Sequence, residues 1–117
     1  MKSKILALSK NEEFKSLLKG KKESNKYVTI FFGILANKND KKLNISFVTK
    51  KKIGNAVIRN KIKRQLRNIT NDAIKKISIK FSYSYLVIAK PTMLNNDYTN
   101  IKEILFQSFK RIKWWKF

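Results

Sequence analysis

Apolar positions recur along this 117-residue chain with two different periods. Phe14, Leu17 and Leu18 are spaced i, i+3, i+4 and predict a short helix over Asn11–Lys19. Asn11 is placed to cap its start, Glu12 and Glu13 stand in the first turn where the helix dipole favours acids, and Gly20 is a natural stop. Tyr27–Leu35 is rich in β-branched and aromatic residues and reads as a strand. Leu43–Thr49 alternates, with Leu43, Ile45 and Phe47 on one face and Asn44 and Ser46 on the other. Across the polar stretch Asn37–Lys42 these two strands read as an antiparallel hairpin.

The helical period then returns. Ile58, Ile62, Leu66 and Ile69 form an apolar stripe on a helix from Asn55 to about Ile69, and Thr70–Ile77 either prolongs it irregularly or forms a separate turn. Tyr83–Ala89 ends in an unbroken apolar run, the pattern of a strand covered on both faces, and Pro91 closes it. Asp97 caps a last helix carrying Ile101, Ile104, Leu105, Phe109 and Ile112. The resulting order is α-β-β-α-β-α with room for a further short strand. It describes an α+β fold in which a small sheet packs with helices. Without repeats or a Pro/Gly/Ser-rich linker, residues 1–117 read as a single domain.

Charge changes the picture from fold to function. Lys and Arg number 28 against 7 Asp and Glu, a formal net charge of +21. A small soluble domain usually carries about 2–8 charges in magnitude. An excess of this size repels itself, so a polyanionic partner is its simplest explanation. The absence of Cys and His excludes disulfides, thiolate zinc sites and imidazole bases, and three glycines cannot make a phosphate-binding glycine loop. The early apolar run Ile5–Leu8 is too short for a secretory or spanning segment, so a cytoplasmic protein is expected.

Lys, Ile and Asn, all with A/T-rich codons, are abundant enough that many lysines need no functional reason. The arginines are therefore the informative cations: three of four (Arg59, Arg64, Arg67) fall within nine residues. Guanidinium makes planar bidentate bonds to phosphate that ammonium cannot copy. From Lys50 to Arg67 there are eight bases and no acid. At about 100° per residue, Arg59, Lys63, Arg67, Asn60 and Arg64 cover a sector of about 140° beside the apolar stripe, while Lys61 lies apart from it. The segment thus reads as a helix with one face for the core and one for anions. A nucleic acid is the favoured anion over a merely solvated face or an anionic membrane.

Residues Lys51-Lys52-Ile53-Gly54-Asn55-Ala56-Val57-Ile58-Arg59-Asn60-Lys61-Ile62-Lys63-Arg64-Gln65-Leu66-Arg67 closely resemble the signature of the bacterial ribonuclease P protein subunit family. The likeness extends over most of the chain, to the early helix with Phe14 and the strand Tyr85–Lys90. It implies a sheet-and-helix fold whose signature helix makes a left-handed crossover between parallel strands, against the usual right-handed rule. It also implies a ribonucleoprotein that removes the 5′ leader of precursor tRNA, with its active site and magnesium in the catalytic RNA subunit and no cofactor in the protein. The partners implied are that RNA and precursor tRNA, not a membrane.

On this resemblance Arg59, Lys63, Arg64 and Arg67 supply phosphate contacts and Asn60 polar ones. Lys51 and Lys52 extend the patch, and Lys61 belongs to the RNA-binding set without having to face the same strand. A cleft between the first helix and the sheet is implied for the leader, with Phe14 and Leu18 on the helix and residues between Tyr27 and Phe32 on the sheet. Phe14 also reads as ordinary core. Gly54 and Ala56 read as structural, the first for a tight helix entry and the second for close packing. Trp114 and Trp115 either pack on the last helix or meet RNA. The chain departs from the family pattern at Asn44-Ile45-Ser46, where Arg-x-Gly is common, and at Lys50, Leu18 and Ser84. Two rivals stand beside this reading: a ribosomal-type or chaperone-like RNA-binding module, and a protein-only nuclease built on Glu12, Glu13, Glu23, Asp40, Asp72, Asp97 and Glu103, whose spacing is unconvincing for metal.

Overall fold

A computed structural model describes residues 5–8, 10–35, 42–77, 79, 81–95 and 97–113. It is an α+β fold. The elements run β1 (Ile5–Leu6), α1 (Asn11–Leu18), β2 (Lys21–Ser24), β3 (Val28–Gly33), β4 (Leu43–Val48), α2 (Ala56–Lys76), β5 (Ser84–Ala89) and α3 (Tyr98–Lys113). The sheet order is β1-β4-β5-β3-β2, with β1, β4 and β5 parallel and β3 antiparallel to both its neighbours.

The expected hairpin of β3 with β4 is not formed. Each pairs instead with β5, which lies between them. The apolar run of β5 explains this. Tyr85 and Val87 face the main core while Leu86 faces the opposite side, so every residue from Ser84 to Val87 is buried. A β3–β4 hairpin would leave this strand at an edge with unpaired backbone; at the centre it is paired on both sides. Two strands were not foreseen as such. β2, Lys-Lys-Glu-Ser, has low strand propensity and is held by its register with β3, from Lys21 opposite Phe32 to Ser24 opposite Thr29. β1 is two residues long and pairs with Leu43 and Asn44.

The two sheet faces are unequal. On one, α2 and α3 bury Ile62, Leu66, Ile69, Ala73, Ile101, Leu105, Phe109 and Ile112 against Ile30, Phe32, Leu43, Ile45, Tyr85 and Val87. On the other, α1 covers a small cluster of Leu8, Leu17 and Leu86, with Phe14, Phe31, Val48 and Ile88 partly buried around it. α2 runs unbroken through Thr70–Lys76, because Thr70 and Ala73 are buried and the Thr70 hydroxyl bonds the Leu66 carbonyl at 2.8 Å. Asn11 is not the cap of α1. Lys10 occupies that position, and its backbone N–H donates to Glu13 Oε1 at 3.1 Å, so the acid at the third helical position closes the first turn. The expectations for Trp114, Trp115, Asp40 and most of the Asn37–Lys42 turn lie outside the described residues.

Candidate nucleic-acid interface

The start of α2 is built from three local devices. Asn55 caps it, its Oδ1 accepting from Ile58 N at 3.0 Å. Ile53, in the short 3-10 turn Lys51–Ile53, is buried in the main core and anchors the approach. Gly54 stands so close to the helix that a Cβ there would lie 3.1 Å from the Ile58 side chain. Its backbone is extended, so the close approach to Ile58 rather than a left-handed conformation favours the glycine. Ala56, expected to be small for close packing, is exposed, and packing does not account for it.

From this start the helix projects Lys61, Arg64 and Arg67 away from the core, while Arg59 is half-buried. Ile62 and Leu66 are fully covered, Lys63 is half-buried, and Asn60, Lys61, Arg64 and Arg67 are exposed. Lys51 and Lys52 are exposed on the turn just before. No ion pair among the described residues takes up Arg59, Arg64 or Arg67, whereas the fourth arginine, Arg111 on α3, is paired with Glu23 on β2. Arg111, outside the cluster, is a fold-holding residue, while the exposed Arg64 and Arg67 keep their charge available.

Lys63 and Arg67 reach a pocket at the edge of β4. Because β1 pairs only with Leu43 and Asn44, no described strand covers this side of Ile45–Val48. A pocket of about 250 Å³ opens there, lined by Ile45, Ser46, Phe47 and Val48 together with Ile5, Ala7, Phe14, Lys63 and Arg67. Ser46 is fixed in its wall by the Leu8 N–H, which donates to Oγ at 2.8 Å. The structure thus brings Phe14 of α1 and the basic sector of α2 together around one strand edge, although they belong to opposite faces of the sheet. Leu18, about 40° from Phe14 around α1, does not line this pocket and is 49% exposed. Of the sheet residues expected near Phe14, Phe31 is the one sharing its cluster. Phe47 and Val48 line this pocket and Ile88 packs in the cluster of Phe14; the sequence pattern assigns none of them to the leader cleft, because the central place of β5 and the short β1 set these neighbours.

Lys61 lies on the other flank of α2, toward the side where Asp72 pairs with Lys102 of α3 at 2.8 Å. That hydrogen bond to the ammonium holds the Asp72 carboxyl below its ordinary value and raises Lys102. Among the described residues no three His, Cys, Asp or Glu side chains gather where a metal ion could be held. No helix among them is long and apolar enough to cross a membrane.

Comparison with known proteins agrees with this architecture. The ribonuclease P family model matches residues 3–113. The ribonuclease P protein component of Carboxydothermus hydrogenoformans is 31% identical over 115 residues, covering 95% of this chain and 94% of that protein. That of Mesoplasma florum is 41% identical over 106 residues, covering 89% and 92%. The solved structure of the Staphylococcus aureus ribonuclease P protein superposes with a TM-score of 0.77 at 26% identity, covering 92% of this chain and 94% of that one.

Proposed function

Since this chain belongs to the ribonuclease P protein family, the protein part of a tRNA-processing endoribonuclease, we propose that it serves that ribonucleoprotein by holding RNA rather than by cutting it. In this reading it binds the catalytic RNA subunit and the 5′ leader of precursor tRNA, and bond cleavage with its magnesium belongs to the RNA. The observation that carries the proposal is the exposed, acid-free face of α2 joined to Phe14 by one pocket. Cations there attract phosphate through charge-assisted bonds, and an aromatic side chain beside them accepts the face of an unpaired base.

The roles follow from position. Arg64 and Arg67 are exposed guanidiniums that grip phosphate bidentately. Lys63, at the pocket, and Lys51 and Lys52, on the preceding turn, add ammonium contacts, and Asn60 adds polar ones. Phe14 meets the leader base. Leu18 gives it apolar contact at the open end of α1. Lys61, on the other flank, meets a separate stretch of RNA.

The test is the salt dependence of binding to the RNA subunit. Each phosphate contact releases condensed counterions, so Arg64→Ala and Arg67→Ala each flatten the slope of log K against log salt by about one unit, and weaken binding at every RNA sequence alike. Unchanged slopes in folded variants would remove these residues from the interface.

A further inference from the structure

Arg59 differs from the other arginines of α2 in what its side chain does. Arg64 and Arg67 are exposed, whereas Arg59 is half-buried. It stands seven residues before Leu66 and so points within about 20° of that fully buried side chain. Its Nε donates to the carbonyl oxygen of Gly54 at 3.2 Å. That carbonyl belongs to the turn carrying Lys51 and Lys52.

Among the described residues, short-range bonds and one buried side chain also fix the same turn. Ile53 N donates to Lys50 O at 3.0 Å, Gly54 N donates to Lys51 O at 3.2 Å, and Ile53 is buried in the core. A Cβ at Gly54 would crowd Ile58 at 3.1 Å, so the turn lies close on the first turn of the helix. The Arg59–Gly54 bond closes this contact from the helix side.

We infer that Arg59 is a positioning residue: through its Nε it holds the Lys50–Gly54 turn on α2 and thereby sets where Lys51 and Lys52 stand beside the basic face, without itself gripping phosphate. The inference rests on the RNA-binding reading above. It assigns Arg59 a different part from the one the sequence suggested, and it makes Gly54 and Arg59 two halves of one device.

Side-chain chemistry allows a sharp test. In Arg59→Gln the amide nitrogen stands the same number of bonds from the backbone as the arginine Nε, so the donor is kept and the charge is lost. In Arg59→Lys the charge is kept and a methylene occupies the donor position. Affinity for the RNA subunit is measured for both variants across salt concentrations, in the native background and with Lys51 and Lys52 already changed to Ala.

Positioning predicts an inverted ranking, in which the neutral Gln variant binds more tightly than the charged Lys variant. The Lys variant loses about three- to tenfold, as expected for one lost hydrogen bond, and most of that loss disappears in the Lys51→Ala/Lys52→Ala background because the coupled groups are gone. In the free protein, amide exchange at Ile53 and Gly54 quickens for Arg59→Lys and not for Arg59→Gln. A Lys variant that binds like the native chain, with a Gln variant whose salt slope drops by about one unit, would make Arg59 a direct phosphate contact and overturn the inference. Full additivity with Lys51→Ala/Lys52→Ala would overturn it too. If Arg64→Ala and Arg67→Ala also left binding and slope untouched, the RNA reading itself would fail, which is a distinguishable result.

Discussion

Phe14 and Arg67 stand on helices that pack on opposite faces of the sheet, yet they line one pocket at the edge of β4 that no described strand covers. An unpaired RNA strand laid along this edge, as proposed above, would have an aromatic side chain and a guanidinium within one pocket. Phe14→Leu keeps apolar packing in the small cluster and removes the π-face. The expected outcome is a loss of about 1–3 kcal/mol in binding of leader-bearing precursor tRNA by the reconstituted ribonucleoprotein, with no loss for tRNA lacking a leader. Equal losses for both substrates would mean that Phe14 acts only through the fold.

Arg111 provides the contrast to the α2 arginines. Its Nε bonds Glu23, a largely covered carboxylate, and its guanidinium also donates to Ser108 Oγ, which accepts from Asn25 Nδ2 at 2.7 Å. This joins α3 to the β2–β3 turn. Arg111→Ala is expected to cost about 1 kcal/mol of stability and to leave the salt slope of RNA binding unchanged. Denaturant melts and the same binding titrations check both halves.

The charge of +21 destabilises the folded chain when no anion is present. Sulfate or phosphate that binds the folded basic face stabilises it by mass action. Thermal melts followed by circular dichroism should therefore rise with sulfate relative to chloride at matched ionic strength. Coincident melts would show that screening alone, and not anion binding, governs stability.

The Asp72–Lys102 pair gives a pH dependence of known sign. The hydrogen bond from Lys102 holds the folded carboxyl below the ordinary carboxylate range, so the stabilisation is present above that range and is lost as pH falls through the lower, folded value. Asp72→Asn should be slightly less stable than the native chain near neutral pH and equal to it once the carboxyl is protonated. Both residues lie near solvent, so the effect is small. A difference that persisted in strong acid would point to a role other than charge.

Much of this was legible from residue pattern alone. Ile62, Leu66 and Ile69 are buried as the stripe on α2 requires, whereas Ile58, read into the same stripe, is exposed at the helix start, and the apolar run after Tyr85 marks a strand covered on both faces. The order of strands was not legible. Local alternation in β3 and β4 is compatible with a hairpin, and only competition for the centre of the sheet places β5 between them. β2 escaped notice because Lys21–Ser24 has no strand propensity and owes its form to β3. The same non-local choice hid the β4 edge, and with it the meeting of Phe14 and Arg67. The role of Arg59 was hidden for a simpler reason: composition counts a charge, and only geometry shows that its Nε is committed to Gly54.

Leader cleavage decides whether this chain assists an RNA catalyst by binding RNA. Precursor tRNA is incubated with the RNA subunit from the same organism at limiting magnesium, with and without the protein, beside a protein-only control. Strong stimulation by the protein and no cleavage by the protein alone are expected. Cleavage by the protein alone, or RNA binding with no stimulation, would contradict that role.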